Sequence, residues 1–203
     1  MELYFAPLAC SLASRISLYE AGVDARFHRV NTTTKQLAEG GDYLAINSKG
    51  QVPALRTDSG ELLTENNAIL EYIADAAPSG SLAPKGAARP RLREWLSFVS
   101  SELHTPVFGL MLSATAPAEA KAHARGLAER KLAWLDGQFD GTPYLTGEFS
   151  VADAYLATVM NWTQAVQFDL APYPNVAAHR ARVFDRPAAG RAFAEEFALY
   201  RAG

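Results

Sequence analysis

The chain has 203 residues, with 19 Lys and Arg against 22 Asp and Glu, a net charge of −3, 49% hydrophobic residues and a single cysteine. This balance excludes a disordered or collagen-like polymer. One cysteine excludes an internal disulfide and a zinc site built on several cysteines, so nothing calls for an oxidising compartment.

Residues 1–87 hold 7 basic and 10 acidic side chains and residues 88–203 hold 12 of each, so neither half carries the basic footprint of a nucleic-acid partner. The first basic residue is Arg15 and Glu2 stands at the front, which is not the positive start of a secretory signal. The longest stretches without Asp, Glu, Lys or Arg, Leu103–Ala118 and Ala154–Phe168, are shorter than the ~20 residues of a membrane-spanning helix. The expectation is a cytoplasmic chain with no membrane partner.

In chain order, Leu3-Tyr4-Phe5 is a short apolar run stopped by Pro7 and reads as a strand. Leu12, Ile16 and Tyr19 recur at helical spacing from Ser11 to Ala21, with Gly22 as the stop. Phe27 to Val30 reads as a second strand, completing a strand–helix–strand unit that favours a parallel pair. Val52–Leu55 and Glu61–Leu63 flank Asp58-Ser59-Gly60, a hairpin signal. Thr64 stands as N-cap for a helix bearing Ala68, Ile69, Tyr72 and Ile73.

Residues 77–90 contain three prolines and two glycines without apolar period and read as a linker. Everything beyond reads as helix: Leu92, Trp95, Leu96 and Val99; Leu127, Lys131 by its stem, Leu135 and Phe139; Val151 to Val166; Val176 to Phe184; and a last helix opened by Pro187. The predicted architecture is an α/β domain over 1–78 followed by an all-helical domain over 88–203.

Cys10 stands where the first strand has ended and the first helix begins, so unsatisfied amides and the positive helix end face it. That setting lowers a thiol's pKa or binds a ligand's thiolate; the alternative is a buried, inert cysteine. No second cysteine follows, so a dithiol cycle within the chain is impossible. Ser11 is a rival hydroxyl for the same ligand, or simply a cap. Gln51-Val52-Pro53 after Gly50 predicts a sharp turn with a cis bond or an edge-strand proline, and an outward-facing Val52 backbone could pair with a peptide-like ligand.

Glu65 and Asn66 open the next helix, where Glu65 complements the dipole or binds a ligand ammonium while helix amides take its carboxylate. His104 lies in a long helix near Trp95, Phe98 and Phe108 and is structural or part of a site. His28, His123 and His179 share no metal-ligand spacing with it, so no metal is expected. Ser150-Val151-Ala152-Asp153 is a capping box, a folding element.

In this order and spacing, Ala9-Cys10-Ser11-Leu12-Ala13-Ser14, Asp42-Tyr43-Leu44-Ala45-Ile46-Asn47, Lys49-Gly50-Gln51-Val52-Pro53-Ala54-Leu55, Leu63-Thr64-Glu65, Glu94-Trp95-Leu96, Glu102-Leu103-His104 and Ser150-Val151-Ala152-Asp153-Ala154-Tyr155 resemble the glutathione transferases, and the cysteine points to the bacterial beta class. The resemblance implies a thioredoxin-like first domain with a cis Val52–Pro53 bond, an all-α second domain and a homodimer. It implies glutathione as co-substrate, bound at Cys10, Lys35, Gln51, Val52, Pro53, Glu65, Asn66, Ser97 and His104. Lys35 would lie near the glycine carboxylate, Val52 would pair with the cysteinyl unit, and Glu65 with Asn66 would hold the γ-glutamyl end.

Cys10, Ser11 and His104 are the expected catalytic residues, with Phe108, Leu112 and Trp162 as expected pocket wall for the electrophile. The sequence departs from the family pattern at Thr105, where a lysine is common, and at Asn66, Asn67 and Ser97. The implied activity is conjugation of the glutathione thiolate to electrophiles, with thiol transfer or peroxide reduction as an added capacity. The rivals are a glutathione-dependent thiol–disulfide oxidoreductase using Cys10 and a glutathione-binding module without turnover.

Overall fold

The computed structural model describes every residue except Ser79, Ser81 and Asp140, so that part of the expected linker lies outside the described residues. Two compact units emerge, Met1–Ala83 with Arg186–Gly203, and Pro84–Asp185.

The first unit is built on a five-stranded sheet of order β3-β2-β1-β4-β5. Its strands are β1 (Glu2–Phe5), β2 (Arg26–Asn31), β3 (Gln36–Leu37), β4 (Ala54–Arg56) and β5 (Leu62–Thr64). β1 runs parallel to β2 and antiparallel to β4, and its Leu3, Tyr4 and Phe5 are buried at the centre of the sheet. The parallel pair is joined by α1 (Ser11–Ala21), as the strand–helix–strand reading predicts. Leu12 and Ile16 of α1 are fully buried, and Gly22 ends the helix with φ +65°, its N–H returning to carbonyls of the last turn.

Two local readings are corrected. Thr64 belongs to β5, and the N-cap of α2 (Asn66–Ala76) is Glu65 at φ +71°, a conformation that residue type does not announce. β3, only two residues long, carries too little pattern to be read from sequence. A final helix, α8 (Pro187–Arg201), packs on α1, and Arg186 just ahead of it forks onto both carboxylate oxygens of Glu20 at 2.7 Å.

The second unit is helical, with α3 (Arg89–Phe98), a π-helical stretch over Val99–Gly109, α4 (Leu110–Leu112), α5 (Ala118–Gln138), α6 (Val151–Asn161) and α7 (Pro174–Phe184). The long helix predicted around His104 is therefore wound more widely than an α-helix, and Pro106 within it supplies no N–H to the ladder. On α5 the buried residues are Ala124, Ala128, Leu132 and Leu135 rather than the predicted Leu127 and Lys131. Small alanines let the helix approach its neighbours closely, and Lys131 instead pairs with Glu102.

α6 is buried along Val151–Met160. Its capping box forms as predicted and goes further: Asp153 also accepts from the Leu145 amide and from His179 Nε2, both at 2.9 Å.

Candidate functional site

In the first unit the chain leaves β1 through a tight loop, Ala6–Cys10, in which Leu8 adopts φ +60°. Ser11 opens α1 fully buried, its hydroxyl donating to the Ala6 carbonyl and accepting from the Ala6 amide, each at 3.2 Å. The expectation that Ser11 offers its hydroxyl to a ligand is thereby corrected: both its roles are spent on the loop and none of it reaches the surface.

Cys10 is the N-cap of α1 and half-buried, with its thiol donating to the Val52 carbonyl at 3.2 Å. The Val52–Pro53 bond is cis, as the sequence suggested. Burial pushes the Cys10 thiol up to about 12, the amides of Cys10 and Ser11 pull it down, and the Glu196 and Glu65 carboxylates add to the rise. The predicted lowering by the helix start is real in sign but loses to desolvation.

The turn before Val52 is held from behind. The Gln51 carbonyl accepts from Tyr43 Oη at 2.7 Å and from Asn47 Nδ2 at 2.8 Å. Lys35, at φ +60°, donates from Nζ to the Gly50 carbonyl at 2.7 Å. Gly50 has φ +63°, and a Cβ there would stand 3.2 Å from Lys35 Cε, so glycine makes room for the lysine stem.

On the other side of the turn, Glu65 is largely exposed and ion-paired with Lys49 at 2.5 Å, while Lys49 also reaches Thr64 Oγ1 at 3.1 Å. Asn66 is buried, accepting from Ser14 Oγ at 3.1 Å and keeping an unpartnered Nδ2. Three of the four non-glycine residues at positive φ among the described residues, Leu8, Lys35 and Glu65, thus belong to or adjoin this constellation. Strained backbone of this kind concentrates where geometry serves binding. Sequence reasoning missed Lys49 and Tyr43 as members; both lie in quoted or adjacent segments, but their roles are set by contacts the spacing does not reveal.

In the second unit His104 is half-buried and its Nδ1 lies 2.6 Å from Tyr155 Oη, with the Trp162 ring 4.9 Å away between centroids. Burial lowers the His104 pKa, so the ring is neutral at neutral pH and meets a partner as a hydrogen-bonding group rather than as a cation. Tyr155 was not foreseen as its partner; the available signal was a tyrosine in an otherwise apolar helix, whose hydroxyl needs a partner once buried.

Ser97 is exposed, its carbonyl accepting from Ser101 Oγ at 2.8 Å. Phe108 is fully buried (0% exposed), so it supports from within the core and offers no wall to a ligand. Leu112 is 43% exposed and lines a cleft of about 430 Å³ with Met111, Lys121, Arg125 and Val166, whereas Trp162 is buried beside His104. Among the described residues no three His, Cys, Asp or Glu side chains gather as metal ligands, and no helix is long and apolar enough to cross a membrane.

Residues 1–75 match the glutathione S-transferase N-terminal domain and residues 118–182 match the C-terminal domain of the same family. Glutathione S-transferase GstA of Escherichia coli O157:H7 is 41% identical over 193 residues, 92% of this chain and 94% of its own length. A sphingomonad glutathione S-transferase solved in complex with glutathione superposes with a TM-score of 0.92 at 42% identity, over 97% of this chain and 98% of that one. The bacterial beta class enzyme of Sphingomonas chungbukensis gives 0.92 at 41% identity, with the same coverage of both chains.

Proposed function

Because the chain belongs to the glutathione S-transferase family, a class of enzymes, we propose that it conjugates the glutathione thiolate to electrophilic small molecules. The observation that carries the reading is the Val52 carbonyl beside the cis bond, met by the Cys10 thiol at 3.2 Å. A peptide amide arriving as a strand would take that carbonyl and free the Cys10 S–H to face the sulfur of the ligand.

Each remaining group has a use for one part of glutathione. Glu65 binds the γ-glutamyl ammonium in place of Lys49, the amides at the start of α2 with Asn66 take the adjoining carboxylate, and Lys35 faces the glycine carboxylate. Gln51 and Pro53 keep the turn in shape around Val52, and Ser97 and His104 complete the binding set. Cys10 and His104 are the catalytic residues, His104 as a neutral hydrogen-bonding group; Ser11 contributes by fixing the loop. In the reaction the glutathione thiolate attacks an electrophilic carbon, a C–S bond forms, the leaving group departs with its electron pair and the thiol proton passes to solvent.

The height of the Cys10 pKa favours conjugation over a mixed-disulfide mechanism. At neutral pH the Cys10 thiol, pushed up to about 12, is protonated, while a glutathione thiol of pKa about 8.5 is the readier thiolate. The division of labour is a glutathione-binding domain built on the expected 1–78, to which the last helix of the expected 88–203 domain adds itself, and a helical unit, Pro84–Asp185, that supplies the electrophile pocket, with Leu112 and Trp162 among its residues and Phe108 backing them. We place the protein in a bacterial cytoplasm as a homodimer active in detoxification.

The test is twofold. The protein is expected to be retained on immobilised glutathione and eluted by free glutathione; passage straight through overturns the proposal. With Cys10→Ala, conjugation to an aromatic halide is expected to slow but persist, since the glutathione thiolate remains the nucleophile, while any thiol transfer vanishes. A wild-type protein that binds glutathione and transfers thiols but conjugates no electrophile would instead favour the Cys10-centred oxidoreductase.

A further inference from the structure

The loop carrying Cys10 is gripped by a residue 188 positions away in sequence. Leu8, at φ +60°, is a leucine in a region that leucines enter only when held there. Its amide donates to Oε2 of Glu196, on α8, at 2.7 Å. Glu196 is fully buried, and its other oxygen, Oε1, has no hydrogen-bond partner.

The nearest cation does not complete the pair. Arg15 Nη1 stands 3.9 Å from Glu196 Oε1 and is itself unpartnered, while Nη2 of the same guanidinium is engaged by Glu195 at 2.5 Å and Tyr19 Oη at 3.2 Å. The guanidinium also lies over the Phe27 and Phe5 rings, 4.3 and 5.1 Å from their centroids. Fixed on three sides, it cannot close on Glu196 without giving up those contacts.

The charged and titratable groups facing Glu196 are Arg15 from α1, Glu195 from α8 and Cys10 from the loop; Tyr19 and Arg191 meet Glu195. A buried carboxyl with one amide, one distant cation and one neighbouring carboxylate gives up its proton late: burial pushes it up to about 8.

We propose that Glu196 is a positioning residue for Cys10, one that fixes the thiol-bearing loop through the Leu8 amide and opposes the thiolate with its own charge. Protonated on Oε1, it still accepts from Leu8 through Oε2, so the grip holds in both states. Only the ionised form repels the thiolate, and the two groups therefore compete for ionisation. The inference rests on Cys10 belonging to the glutathione site, yet it can be read on Cys10 without glutathione.

The chain has one cysteine, so alkylation by iodoacetamide followed by intact mass reports on Cys10 alone. An isolated thiol well below its pKa reacts about tenfold faster per pH unit. The wild-type rate is expected to bend below that line near pH 8, where Glu196 ionises, ending about two- to fivefold under the extrapolation. Glu196→Gln keeps an acceptor for Leu8 and removes the charge, so its profile should stay straight with glutathione affinity within about twofold of wild type. Glu196→Ala removes the carboxylate that holds the Leu8 amide and should weaken glutathione binding about tenfold.

A Gln profile that keeps the bend, or an Ala variant that binds glutathione as wild type, overturns the proposal. Should the Ala variant fail to fold, the Gln profile decides alone. If the wild type does not bind glutathione, the functional reading fails while the alkylation profiles still judge Glu196.

Discussion

Each unit of the molecule holds one candidate reactive side chain, and burial acts on the two in opposite directions. In the first unit it pushes the Cys10 thiol up; in the second it pulls the His104 imidazole down. Both end uncharged at neutral pH, because desolvation disfavours whichever form carries charge. The surroundings differ more. Cys10 sits in backbone held at a cis bond and at Leu8, Lys35 and Glu65, all at positive φ, whereas His104 rides a helical stretch and is oriented by the Tyr155 hydroxyl. The first unit shapes its site with main chain, and the second with side chains.

If that contrast is right, the largest single effect lies in the framework of the second unit. Asp153→Ala removes the acceptor of Leu145 N, Ser150 N, Ser150 Oγ and His179 Nε2 in a fully buried setting. It should cost about 3–5 kcal/mol in urea unfolding. A cost near zero would mean that the side-chain network is ornamental.

Next comes the ligand end of the first unit. Glu65→Ala should weaken glutathione about 10–100-fold in calorimetry, since an ammonium loses its carboxylate partner. Unchanged affinity would mean that the Glu65–Lys49 pair is a surface ion pair and no more.

The smallest effect is expected at Tyr155. Tyr155→Phe frees His104 Nδ1 and should lower turnover several-fold with little change in the KM for glutathione. Because burial already holds the wild-type ring neutral, the wild-type rate should fall with pH only as the glutathione thiolate is protonated, about tenfold per unit, with no added inflection in the ordinary histidine range. An added inflection there would show that His104 works as a cation.

How much of this was legible follows the same division. The strand–helix–strand unit, the hairpin, the cis Val52–Pro53 bond and the Ser150–Asp153 box are local, written in residues a few positions apart, and they could be read. Cys10 could be placed at a helix start, yet the sign of its pKa shift could not, because desolvation depends on the whole fold around it. Thr64 was mistaken for a cap because nothing in a glutamate announces φ +71°. The buried face of α5 shifted because alanines, weak in an apolar pattern, are strong in close packing. Glu196 was invisible: a glutamate in an amphipathic helix reads as solvated, and only the tertiary fold delivers it to Leu8.

That delivery has a consequence for how the protein comes into being. During synthesis Cys10 emerges early, and the residue that grips its loop is made 188 residues after Leu8. Until then the Leu8 amide has no Glu196 to hold it, and closing so long a segment is slow relative to local helix formation. A nascent chain therefore passes through a period in which its one thiol is present on a loosely held loop, open to oxidants and to adduct formation. Arrival of α8 is the step that gives the cysteine its finished environment.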